Sequence, residues 1–145
     1  MVITFAPAQG DPITLTDPYK VMNTSGFGTP QNTTDMVSSP YRDGAFFISQ
    51  RLEPRYMFIG LTVKTATFTD QWDKRRLLVD AFNNRIGIGL LTVTLPDTTV
   101  YTIEALSQGV DFTHSNAPML IKCVISLVAP GAYWQDSLGE DVIGI

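Results

Sequence analysis

One cysteine, Cys123, and one histidine, His114, are all that the 145 residues offer of two side chains widely used to hold metals and to attack substrates. A lone thiol excludes an intrachain disulfide and a Cys-rich zinc site, so the fold must rest on its packed core. Cationic side chains are scarce too: 10 Lys and Arg against 14 Asp and Glu give a net charge of -4. Clustered basic charge, which phosphate recognition draws on, is missing, and no nucleic-acid partner is expected. No run approaches the roughly 18 apolar residues of a membrane span. The most apolar stretch, Met119 to Val128, is interrupted by Lys122, so no membrane association is expected. The opening residues, "MVITFAPAQGD", show no basic segment leading into an apolar run, and a secretory signal is not expected. These absences describe a soluble domain made in a reducing cytoplasm.

Catalytic patterns are equally thin. His114 sits in "DFTHSN" beside Asp111 and Ser115, but triad members meet in space rather than within four residues of chain, and nothing here forms a nucleophile elbow. Gly26-Phe27-Gly28 and Gly87-Ile88-Gly89 lack the third glycine of a dinucleotide fingerprint and read as turns. Asn23-Thr24-Ser25 and Asn32-Thr33-Thr34 match the glycosylation acceptor, which is inert without a secretory signal. Cys123 shares a strand face with Ile121 and Ile125 and reads as a small buried hydrophobe. Asp136, Glu140 and Asp141 form a loose cluster, read as a solvated acidic tail. Tyr41, Phe46, Phe47, Tyr101, Tyr133 and Trp134 supply aromatic area for a sugar platform, though in a β protein most such rings serve core or interface. No enzyme activity, no cofactor and no metal site is expected.

What the chain does have is 44% hydrophobic residues against 17% charged, the balance of a protein that hides much of its surface. Val2 to Phe5 and Ile13 to Leu15 are short strand candidates. The Gly-, Pro-, Thr- and Asn-rich segment from Asn23 to Gly44 reads as a long loop or projecting hairpin. Strands follow over Phe46 to Leu52 and Tyr56 to Phe68. In the second, Met57, Ile59, Leu61 and Val63 alternate onto one face. Ile88 to Leu95 and Thr98 to Leu106 form a hairpin across Pro96-Asp97, and Met119 to Val128 is apolar enough on both faces to be central. Strands, one helix, then strands predicts a mainly β (α+β) fold: an antiparallel, β-sandwich-like domain with one packed α-helix and a long N-terminal loop or arm.

The helix is expected over residues 70–83, capped by Thr69 or Asp70 and stopped near Asn83-Asn84 and Gly87. At about 100° per residue, Trp72, Leu77, Leu78, Val79, Ala81 and Phe82 cover an arc of about 220°, where a helix lying on one sheet needs little more than about 100°. Asp73, Arg76 and Asp80 fill the polar stripe at ion-pair spacing, and Arg75 falls inside the apolar arc. A second covering surface is therefore required, because each large apolar side chain left in water forgoes about 1.5–3 kcal/mol. Either the segment from Asn23 to Gly44 folds over the helix, or another subunit covers it. In the second case Trp72, Arg75, Val79 and Phe82 are the candidate interface residues.

The succession of "FIGLTVKTATFTD", "DKRRLLVDAFN", "GLLTVTLPDTTVYTIEALSQG" and "MLIKCVISLVAPGAYW" resembles the N-terminal domain of the distal tail proteins of long-tailed phages. Arg75 or Arg76 with Leu78 matches that family's helix, Gly89 to Val93 its Gly-then-apolar strand, and Tyr101 its tyrosine strand. Pro130 and Trp134 match its closing proline and aromatic. The resemblance covers roughly residues 46–135. It implies a structural virion protein of the tail tip: a hexameric ring whose neighbours are the tail tube protein and the tail-tip or adsorption proteins, made in the host bacterial cytoplasm. It implies a ring-forming hub domain over residues 1–134, with an arm or loop-rich part to residue 45 and a β core with the helix beyond it. Residues 135–145 are then a C-terminal tail or the stub of a further domain, where many relatives continue into a carbohydrate-binding one. The competing readings are a small β-sandwich carbohydrate-binding module, with exposed aromatics such as Trp134 as platform, and another tail-tube-associated scaffold.

Overall fold

The computed structural model describes residues 1–83, 85, 87–114 and 119–145. Among them are strands β1 (Val2–Ala6), β2 (Ile13–Thr14), β3 (Tyr19–Ser25), β4 (Asn32–Ser38), β5 (Ala45–Leu52) and β6 (Arg55–Lys64), then helix α1 (Phe68–Ala81). After the helix come β7 (Ile88–Thr94), β8 (Val100–His114), β9 (Leu120–Ala129), β10 (Trp134–Gln135) and β11 (Asp141–Val142). Nine strands make one antiparallel sheet in the order β2-β1-β7-β8-β9-β6-β3, with β10 on β8 and β11 on β10. β4 and β5 pair only with each other.

The alternation in β6 and β9 fixes their register. Met57 lies opposite Leu127, Ile59 opposite Ile125, Leu61 opposite Cys123 and Val63 opposite Ile121, and all eight are buried. A one-residue slip would turn every one of them to the other face. β9 is central, between β8 and β6. The long strand β8 changes phase partway: Ile103, Ala105 and Ser107 point inward, then a bulge at Gln108 and Gly109 lets Val110 and Phe112 pack on the core instead. Gly109 has φ of +130°, which only glycine adopts freely.

Helix α1 lies over this buried face with Leu78 and Ala81 buried, and two carbonyls, in the helix and just past its end, accept hydrogen bonds from the sheet. Tyr19 Oη donates to the Lys74 carbonyl at 2.9 Å, and Ser107 Oγ donates to the Phe82 carbonyl at 2.6 Å. The helix begins and ends two residues earlier than its sequence predicts. Thr67 is the cap, its hydroxyl accepting from the Asp70 N–H at 3.2 Å, and Asp70 itself sits in the first turn. The expected Asp73–Arg76 and Arg76–Asp80 ion pairs do not form among the described residues, where Arg51 and Glu53 at 3.9 Å are paired instead. Solvated long side chains gain too little from such pairs to be held in them.

The segment from Asn23 to Gly44 does not cover the helix. Its first residues complete β3, and the rest, with β5, builds a two-stranded ribbon. The acidic cluster is solvated, with Glu140 and Asp141 exposed, and is ordered at its start: Asp136 Oδ1 accepts from the N–H groups of Leu138 and Glu140, each at 2.9 Å, closing the β10–β11 turn.

Burial pushes Tyr19 and Cys123 up to about 12 from ordinary values of 10.0 and 9.0, because their anions would lose water. A group whose folded pKa is raised contributes its full stability below the unfolded pKa and loses it as pH climbs toward the folded one. Melting temperature is therefore expected to hold steady up to about pH 9 and fall between about pH 9 and 12. Cys123→Ala, in scanning calorimetry across that range, should delay the onset. An unchanged alkaline limb would refute the assignment.

Candidate subunit interface

One turn of α1 after another places Phe68, Trp72, Arg75 and Val79 in a single stripe, at spacings of four, three and four residues. Trp72 is 50% exposed and Val79 48%, so the stripe flanks the buried face and stays half in water. Arg75 lies between two rings, 4.8 Å from the centroid of Trp72 and 4.3 Å from that of Phe112. Stacked this way the guanidinium extends the apolar surface while retaining its charge. Its Nη1 is buried without a hydrogen-bond partner.

Phe82 is placed elsewhere. It is 2% exposed and stacks on Phe5, centroids 4.7 Å apart at 18°. Phe5 in turn lies across Gly89, where an added Cβ would come 2.8 Å from the Ala6 carbonyl oxygen. Phe82 is thus part of the protomer core, and the exposed stripe runs through Trp72, Arg75 and Val79 without it.

The second uncovered surface is the ribbon. Its half nearest the sheet pairs polar residues, Thr33 with Arg51, Thr34 with Gln50 and Asp35 with Ser49. Its outer half sets Met36 against Phe47 and Val37 against Phe46, with Ile48 in a bulge, all between 48% and 62% exposed. An isolated two-stranded hairpin is marginal in water, and an apolar one has further reason to find cover.

Where the ribbon joins the body, the chain holds a residue that sequence reading passed over. Arg55 is only 2% exposed and has no carboxylate partner among the described residues. Its Nη1 donates to the carbonyls of Gly26, at 2.7 Å, and Gly28, and its Nη2 to those of Ala132, at 2.8 Å, and Ile143, at 2.5 Å. Burial lowers its pKa, yet a guanidinium stays protonated, and four carbonyl dipoles take the place of a counterion. The Trp134 ring lies 5.9 Å from it. The only linear hint is an arginine entering a strand whose alternate residues are all apolar.

Trp134, proposed as an exposed sugar platform, is fully buried against Phe27, centroids 5.4 Å apart, and cannot act as one. Tyr41, Phe46 and Phe47 belong to the ribbon and its tip. Cys123 is buried, Asp111 is exposed, Ser115 lies outside the described residues, and the reading of the His114 side chain lies outside them as well. Among the described residues no three of His, Cys, Asp or Glu gather to hold a metal, and no helix is long and apolar enough to cross a membrane.

No family model matches the chain, and no curated protein sequence matches it. Solved structures do. SPP1 Dit (gp 19.1), described as a paradigm of the hub adsorption apparatus in phages infecting Gram-positive bacteria, matches with a TM-score of 0.69 at 15% identity, over 92% of this chain and 52% of that one. The phage P2 baseplate in its activated conformation with Ca matches with a TM-score of 0.67 at 10% identity, over 88% of this chain and 43% of that one. The same baseplate with Sr gives 0.66 at 10% identity, over 87% and 43%. The chain thus spans about half the length of the solved chains it matches. Its fold, an antiparallel sheet with one helix, is shared with the matched parts of the SPP1 Dit and phage P2 baseplate chains.

Proposed function

We propose that this chain is a structural protein of a phage tail tip, whose copies close into a hexameric ring joining the tail tube to the tip or adsorption proteins. One observation carries the reading: a hub-type fold leaves two apolar surfaces bare at separate places, the helix stripe and the outer half of the ribbon. Different patches that cannot cover each other within a chain favour a head-to-tail contact, and repetition of such a contact closes a ring when the rotation allows. Trp72, Arg75 and Val79 form one side of that contact. The work is done by geometry and buried area, with no chemistry at the site.

Light scattering of the pure chain should show a species of about six copies, or a concentration-dependent rise toward it. A variant in which residues 33–51 are replaced by a short Gly-Ser turn should keep its sheet, by circular dichroism, and remain a monomer. A full-length chain that stays monomeric at high concentration would defeat the reading.

A further inference from the structure

The ribbon shares no strand pairing with the main sheet, so its angle is determined only where its two legs enter the body. The legs are tied across the base: Glu53 N–H donates to the Gln31 carbonyl at 2.8 Å, and the Thr33 hydroxyl donates to the Glu53 carboxylate. Below that tie, three separate contacts lead to the last three residues of the chain. Ile145 N–H donates to the Phe27 carbonyl at 3.0 Å. Gly144 lies on the backbone of the first leg so closely that a Cβ there would sit 2.6 Å from the carbonyl carbon and oxygen of Gly28. The Ile143 carbonyl shares the Arg55 guanidinium with Gly26 and Gly28, and Arg55 directly follows the second leg at Pro54.

We propose that residues 143–145, bearing on Gly28 and acting through Arg55, set the pose of the ribbon, so that a displacement of the C-terminal segment is transmitted to the ribbon. The coupling is a property of the single chain and stands whether or not copies form a ring. The first leg bears on Gly144 and Ile145 while Arg55, next to the second leg, holds Ile143, and a rigid base converts a small shift there into a larger swing at the tip. Residues 143–145 and Arg55 are positioning residues in this device. The ribbon tip is the part that moves.

Spin labels at Tyr41→Cys, on the ribbon tip, and Asp73→Cys, on the exposed helix surface, report the pose as a distance distribution, with the native thiol of Cys123 buried. Labelled chain is diluted into unlabelled chain so that only intrachain pairs are read. The full chain should give one narrow distance. Gly144→Ala, which adds a methyl group against Gly28 and removes nothing, should shift it, and deletion of residues 143–145 should broaden it, with the sheet intact by circular dichroism. An unchanged distribution in folded variants overturns the proposal. Hydrogen exchange of the unmodified chain in low denaturant decides the matter if a variant fails to fold. The Ile145 and Glu53 amides should open with the same free energy. Protection at Glu53 that outlasts Ile145 overturns the coupling.

Discussion

Phe82→Ala is expected to lower unfolding free energy by about 3–5 kcal/mol, whereas Val79→Asp, on the exposed stripe of the same helix, costs the isolated protomer under about 1 kcal/mol. The difference follows from orientation. Phe82 closes the helix with its ring stacked on Phe5 and its carbonyl held by Ser107, so truncation opens a cavity against Phe5. Val79 points along the Trp72 and Arg75 stripe and is half exposed, so a carboxylate there stays hydrated in the free chain. In an assembly the same carboxylate would be buried against a neighbour, and Val79→Asp is expected to shift the light-scattering mass toward one copy. Chemical denaturation separates the two variants. A Phe82→Ala protein that melts within about 1 kcal/mol of the original would mean that its ring is not a core element.

The second large effect is at Arg55. Arg55→Met keeps an aliphatic stem but leaves four carbonyls, on three segments, without their donor; at least about 3 kcal/mol should be lost, since hydrogen bonds to a charged group contribute more than neutral ones. Arg55→Lys should fall between, because an ammonium carries charge without the planar fork that reaches opposite sides at once. Guanidinium chloride titrations of the three proteins test the order. Equal midpoints for Arg and Lys would show that charge alone, and not the fork, holds the segments.

The parts of the fold that were legible in the sequence are those with one wet face and one dry face. Met57 to Val63 and Ile121 to Leu127 announce their register by alternation, and of the wide apolar arc of the helix Leu78, Ala81 and Phe82 are buried while Trp72 and Val79 stay half exposed. The ribbon is legible only in part: its second strand reads as a strand over Phe46 to Leu52 and a projecting hairpin is one of two readings of Asn23 to Gly44, but its first strand carries no pattern. "NTTDMVS" is exposed on both faces, so burial imposes no period of two on it, and its composition resembles a loop. The destination of Phe82 depends on how the helix is rolled over the sheet, and on Phe5, 77 positions away in the chain, which no local pattern records. Arg55 was hidden because its partners are backbone carbonyls, which every residue has; only the folded arrangement of Gly26, Gly28, Ala132 and Ile143 makes a pocket for it.

The ribbon also sets a hazard. Each of its strands has a free outer edge of unpaired backbone N–H and C=O groups, and Phe46-Phe47-Ile48 lies along one of them. Such an edge accepts any extended chain, including the ribbon of another newly made copy, and that addition can repeat without end. Arg42 and Asp43, charged and next to the turn, are placed to discourage stacking but leave the edges themselves open. In the proposed ring, contact between copies would have to outrun such templated growth, which favours chains that meet early and at modest concentration.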